Sequence, residues 1–139
     1  RVGELHGRIT PRAEEVGKLL DKVDSTIVTS NLWGERWSKL SVNCMANPVT
    51  AMSTFYLKST MDIDRARFLQ IHLVREAVLV GQALHYPIEA INGFPPEVWA
   101  RANEGDVLEE IDSQFRALTN LLRFQALKEG ESLPWRDRD

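Results

Sequence analysis

Residues 33–48 read Trp33-Gly34-Glu35-Arg36-Trp37-Ser38-Lys39-Leu40-Ser41-Val42-Asn43-Cys44-Met45-Ala46-Asn47-Pro48, and the rest of the chain is organised around them. As a helix, this stretch stacks Lys39, Asn43 and Asn47 at successive steps of four. Helical neighbours four apart lie about 5–6 Å from each other on one face. One cation and two amides therefore form a polar ladder two turns long. At about 100° per residue the ladder runs along the edge of an apolar face made by Trp33, Trp37, Leu40 and Cys44. Polar groups beside buried surface need partners, and a ligand is one candidate. Pro48 removes a backbone hydrogen bond and crowds the carbonyl at position 44, so a bend is expected where the ladder ends. Packing alone also produces such bends.

Length and composition set the outer limits. At 139 residues, with 43% hydrophobic and 27% charged, the chain is one domain's worth with an ordinary globular balance. A net charge of −3 and a pI near 5.7 give no footprint for nucleic acid or an anionic membrane. No apolar run reaches the length of a membrane span and no signal peptide opens the chain. The single cysteine, Cys44, cannot form an internal disulfide and fits a reducing cytoplasm. It reads as a small buried hydrophobe, not a nucleophile. His6, His72 and His85 lack ligand spacing, which argues against a metal site.

Along the chain, Val2, Leu5 and Ile9 among glycines predict a short strand and turn. Thr10-Pro11 reads as an N-cap followed by proline at the first helical position, opening a helix over 11–22. Thr26-Ile27-Val28-Thr29 is β-branched throughout and predicts a second strand. Two lone strands cannot make a stable sheet, so this β-α-β unit reads as the tail of a sheet-containing domain. After the ladder helix, residues 55–61 read as a connector, and Asp62 or Asp64 caps a long helix reaching about Leu84. Its apolar positions at 66, 69, 73, 77, 80 and 84 follow helical spacing, with Phe68, Ile71, Val74 and Val78 covering adjacent directions. Gly81 allows close approach of a neighbour. A breaker-rich connector over 85–96 leads to a short helix from Pro96, then a final helix from Asp106 to about Lys128 that Glu129-Gly130 ends. Glu109, Glu110 and Asp112 form a charge run at that helix start, where negative charge is favourable without a catalytic role. Glu76, beside Arg75, reads as a solvated or salt-bridged position.

The stretch Trp37-Ser38-Lys39-Leu40-Ser41-Val42-Asn43-Cys44-Met45-Ala46-Asn47-Pro48-Val49-Thr50-Ala51 resembles the W-x-K-L-x-x-N-x-x-x-N-P-x-T-A signature of ketopantoate reductases (2-dehydropantoate 2-reductases). Arg1-Val2-Gly3-Glu4 and Gly7-Arg8-Ile9-Thr10-Pro11 resemble the end of that family's nucleotide-binding domain, and residues 76–84 resemble the helix that follows the signature. The likeness weakens after about residue 105. The resemblance implies a mainly α fold, the helical C-terminal domain of a two-domain dehydrogenase, similar to the C-terminal domain of 6-phosphogluconate dehydrogenase. Residues 1–29 would be the remnant of the nucleotide-binding domain and 30–139 the helical substrate-binding and catalytic domain.

The implied reaction is NADPH-dependent reduction of a small-molecule 2-oxo acid, 2-dehydropantoate, on the way to pantothenate and coenzyme A. The resemblance gives Lys39 the role of general acid and gives Asn43 and Asn47 substrate contacts; a positioned ammonium can both stabilise the nascent alkoxide and donate its proton. Amides suit carboxylate and hydroxyl groups because each carries a donor and an acceptor. The nucleotide fingerprint G-x-G-x-x-G is absent, so NADPH would be bound mainly by a domain outside this chain. The family's late Ser-Met-x-Gln-Asp…Thr-Glu-Ile-Asp segment is also absent, and Glu110-Ile111-Asp112 stands in surroundings that do not match it. A start without Met and a charged tail over 133–139 make the chain read as a piece of a longer protein, inactive alone. Its Trp33/Trp37 face would pack within the helical domain or against a partner subunit, as in a homodimer. Two other readings remain: a relative that reduces a different 2-oxo acid, and a non-catalytic helical interaction module.

Overall fold

A computed structural model describes residues 1–55 and 57–128. Among the described residues six helices carry the fold: α1 (Pro11–Leu20), α2 (Leu32–Ser53), α3 (Leu57–Asp62), α4 (Asp64–Ala83), α5 (Pro96–Ala100) and α6 (Gly105–Lys128). The mainly helical class expected from the sequence is present. The β-α-β unit is not. Among the described residues the two expected strands reduce to one parallel bridge, with Val2 N–H donating to the Ile27 carbonyl at 3.0 Å and Thr29 N–H to the Val2 carbonyl at 2.8 Å. A β-branched run has nothing to propagate into when its neighbour is equally short.

The caps at α1 form as the residues dictate. The Thr10 hydroxyl accepts from Ala13 N–H at 3.2 Å and donates to Glu4 at 2.7 Å, while Arg12 holds both oxygens of the Glu4 carboxylate. Helix α1 buries only Ala13 and Gly17. It packs close to Val28 at Gly17, where an added Cβ would lie 2.7 Å from a Val28 methyl. Val16, Leu19 and Leu20, which share the helical spacing of α1, are exposed.

Helix α4 is the centre of the core, flanked by α2, α3, α5 and α6. Which of its faces is inside differs from expectation. Ile71, Val74 and Val78 are fully buried together with Arg67, Gln70 and Gly81, whereas Leu69, Val80 and Leu84 are 42%, 54% and 57% exposed. The reason lies in polar partners supplied from elsewhere in the chain. Arg67 donates from Nε to Asp112 Oδ1, from Nη1 to the Met61 carbonyl at 2.7 Å and from Nη2 to Asp64 at 2.7 Å. Gln70 Nε2 donates to the Thr60 hydroxyl at 2.8 Å. A guanidinium satisfied on all sides can occupy the interior that an unpaired one could not. Asp112, read above as part of a charge run at a helix start, is buried as that partner and also accepts from Arg116 Nε at 2.7 Å.

The same bonds explain α3, which stands where a connector was expected. Its Met61 carbonyl and Thr60 hydroxyl are what Arg67 and Gln70 hold. Neither aspartate caps α4. Ile63 occupies the N-cap without a side-chain bond, and Asp64 is the first helical residue.

The connector at 85–96 is a core element in its own right. Ile88, Ile91 and Phe94 are buried, and Ile91 and Phe94 exchange backbone bonds of 2.9 and 3.1 Å across Asn92-Gly93. Both turn residues have positive φ, 51° and 85°, the conformation that Asn-Gly adopts at least cost. Trp99 from α5 lies fully buried beneath, its indole N–H on the Ile91 carbonyl at 2.9 Å. From α6, Val107, Ile111 and Phe115 complete the core. The Glu129-Gly130 stop and the tail over 133–139 lie outside the described residues.

Candidate functional site

Helix α2 begins at an asparagine that does two jobs. The Asn31 side-chain oxygen accepts from Gly34 N–H at 3.0 Å, a regular N-cap, while its amide donates to the Pro87 carbonyl at 2.7 Å and to Glu89 at 2.6 Å. Gly34 sits directly against that loop; a Cβ there would stand 2.0 Å from the Pro87 carbonyl. One turn on, the buried Ser38 hydroxyl lies 2.9 Å from both the Gly34 and Glu89 carbonyls. Helix α2 therefore buries Gly34, Ser38, Ser41, Met45 and Val49, a row of mostly small residues. The apolar row expected inside is on the other side. Trp33 and Leu40 are 44% and 45% exposed, and the Cys44 thiol is half-buried and free.

Trp37 is the exception on that side, because α4 makes room for it. Its indole N–H donates to the Ala77 carbonyl at 2.9 Å, and its ring lies over Gly81, where a Cβ would be 2.1 Å from Nε1. This is the close approach that Gly81 implied. Tyr86 stacks on Trp37 with centroids 4.7 Å apart, and Trp33 leans on the same tyrosine at 6.3 Å while donating to the Leu5 carbonyl.

The outward row of α2 stands between two open clefts. Trp33, Arg36, Trp37, Lys39, Leu40 and Asn43 line one of about 430 Å³. The second, about 460 Å³, is bounded by Arg1, Glu35, Arg36, Lys39, Val42 and Asn92 among others. Both volumes suit a small organic ligand. Lys39 is exposed and faces both clefts; Asn43 is half-buried in the first. Asn47 is exposed a turn further along and lines neither. Among the described residues the side chains of Lys39, Asn43 and Asn47 make no hydrogen bond or ion pair. Their donors and acceptors face solvent and are available to a ligand.

Residues 31–121 match the family described as ketopantoate reductase PanE/ApbA C terminal. The chain belongs to this family. The matched span starts at the N-cap Asn31 and runs through all of α2 to α5 and most of α6, so it contains the polar ladder, the whole lining of the first cleft, all of the second except Arg1, and the main core cluster. Membership of the ketopantoate reductase family points to an oxidoreductase whose helical C-terminal domain this is. No curated protein and no solved structure matches the chain. Among the described residues no group of three or more His, Cys, Asp or Glu could hold a metal ion, and no helix is long and apolar enough to cross a membrane.

Arg36 escaped the sequence reading of the ladder. It precedes Lys39 by three positions, lines both clefts, and holds its guanidinium carbon 5.5 Å from the Trp33 ring centroid. The i, i+3 spacing to Lys39 was the available signal.

Proposed function

We propose that the chain is the substrate-binding half of an NADPH-dependent 2-dehydropantoate 2-reductase, with residues 30–139 as the catalytic helical domain and 1–29 as the end of a nucleotide-binding domain. The observation that carries this is an exposed, uncommitted Lys39 in a cleft with Asn43, inside the span that matches the family. NADPH would supply the hydride from a nucleotide-binding domain outside these residues, since none of them forms the glycine-rich turn that cradles a pyrophosphate.

What these residues contribute is charge and protons. A 2-oxo acid entering the cleft meets the Lys39 ammonium, which hydrogen-bonds the oxo oxygen and draws electron density from C2. As that oxygen gains charge, the ammonium stabilises it and transfers one proton to it, and water reprotonates the amine. Asn43 and Asn47 offer amide donors and acceptors to the substrate's hydroxyl and carboxylate groups and fix its orientation.

The test is the natural full-length protein assayed with NADPH across a panel of 2-oxo acids. Lys39→Ala should lower turnover of the best substrate by about 10²–10⁴-fold, the scale of general acid help, with thermal unfolding unchanged. Turnover close to wild type would remove Lys39 from the mechanism. Preference for another 2-oxo acid would reassign the substrate while keeping the lysine.

A further inference from the structure

Arg36 is the second cation of the clefts, and its surroundings differ from those of the other arginine there. Arg1 is neutralised by Glu35 at 2.8 Å. Among the described residues Arg36 has no carboxylate within ion-pairing distance; its guanidinium rests on the face of Trp33. An exposed aromatic face restrains a cation without neutralising it. The Trp33 indole is fixed in turn by its bond to the Leu5 carbonyl at 3.1 Å. The result is a guanidinium held beside Lys39 with its N–H edge unused.

We propose that Arg36 binds the carboxylate of the 2-oxo acid, leaving Lys39 to the oxo oxygen. The inference rests on the reductase reading above. It follows from the chemistry of the ligand: a 2-oxo acid carries a full negative charge next to its reacting carbonyl. With Lys39 as the sole cation, that carboxylate would hold the ammonium in the ground state. Acceleration comes only from interactions that strengthen toward the transition state. A planar guanidinium takes a carboxylate through two parallel N–H bonds, for which a single ammonium has no match. Arg36, Lys39 and Asn43 project from one side of α2 and line one cleft, in the order carboxylate, oxo oxygen, remainder of the substrate.

The experiment is a residue-by-charge cycle. Calorimetric titration of the full-length protein, with and without NADP⁺, would compare 2-dehydropantoate with its uncharged methyl ester. Wild type should prefer the acid. Arg36→Gln should weaken the acid by about 10–100-fold, the scale of a charge-assisted hydrogen-bond pair, and the ester by less than about 3-fold; Arg36→Lys should recover part of the loss. In turnover with NADPH, Arg36→Gln should raise KM more than it lowers kcat, whereas Lys39→Ala should act on kcat. An equal loss for acid and ester, or no loss, overturns the role of Arg36 while leaving that of Lys39 intact. A wild-type protein that binds neither ligand overturns the reductase reading and this inference with it.

Discussion

Replacing Gly81 by alanine should destabilise this protein, although the same change in most helix interiors does the opposite. Intrinsic propensity favours alanine by about 1 kcal/mol. Against that, the new Cβ would stand 2.1 Å from Trp37 Nε1, 2.5 Å from Cε2 and 2.6 Å from Cδ1, distances no pair of heavy atoms tolerates. The indole is not a loose chain end that can step aside. It is tied to the Ala77 carbonyl at 2.9 Å and sandwiched by Tyr86 at 4.7 Å. If the ring stays, overpacking costs about 1–3 kcal/mol. If it swings out, a hydrogen bond worth about 1 kcal/mol and a stack worth about 0.5–1.5 kcal/mol are lost. Set against the propensity gain, the first route leaves a net loss of up to about 2 kcal/mol and the second a net loss of about 0.5–1.5 kcal/mol. Urea unfolding followed by far-UV circular dichroism would measure it, and near-UV signals would report the displaced indole. A Gly81→Ala protein as stable as wild type, with its near-UV spectrum unchanged, would refute the packing argument.

Other perturbations address different parts of the molecule. Asp112→Ala strips the buried Arg67 of its main partner while Asp64 remains, so it should cost about 2–4 kcal/mol in urea unfolding, below the upper range for fully orphaned buried charges. The double replacement Arg67→Met with Asp112→Leu should recover most of that loss; a double mutant as unstable as the single would mean packing and not charge is at stake. Acid should weaken the fold as well. The hydrogen bond from Arg67, helped by the charge of Arg116, holds the Asp64 carboxyl below its usual value of 3.8. The unfolded chain then binds more protons in that window, so this contribution is complete above the ordinary carboxylate range and is lost as pH falls below it. Urea midpoints between roughly pH 3 and 6 should drop on the acid side, and Asp64→Asn should flatten the slope. Because Asp64 is exposed, added salt should shrink the effect.

The helical periods were legible because they are set by the chain itself. Which face of each helix turns inward was not, because that depends on partners far along the sequence. On α4, Arg67 and Gln70 count as polar in any local reading, yet Asp112 and Thr60 make them interior residues and push Leu69 and Val80 outward. On α2, Gly34, Ser38 and Ser41 carry little apolar surface and give no hydrophobic signal. They are buried because their size lets the backbone reach the 87–89 loop, and because each hydroxyl has a carbonyl to bond. The Trp33 and Leu40 row looked like core for the complementary reason: large apolar side chains dominate a periodicity count wherever they point. The ladder of Lys39 and Asn43 was visible through spacing and resemblance alone, since exposed side chains in a cleft need no distant partner to be placed. Arg36 shares that spacing and was passed over because an arginine at a helix edge is usually solvated surface.

Asn31 gives the lysine-bearing helix a property of its own. Through one side chain, the oxygen that starts α2 and the amide that holds Pro87 and Glu89 are chemically inseparable. The first turn of α2 and a loop 56–58 positions later must therefore open and close together. Amide protons at the start of α2 and along 87–91 should exchange with solvent as one unit, at a rate set by whichever is weaker. Whatever pulls on that loop alters the footing of the helix that presents Lys39, so substitutions at Pro87 or Glu89 are positioned to be felt two turns away.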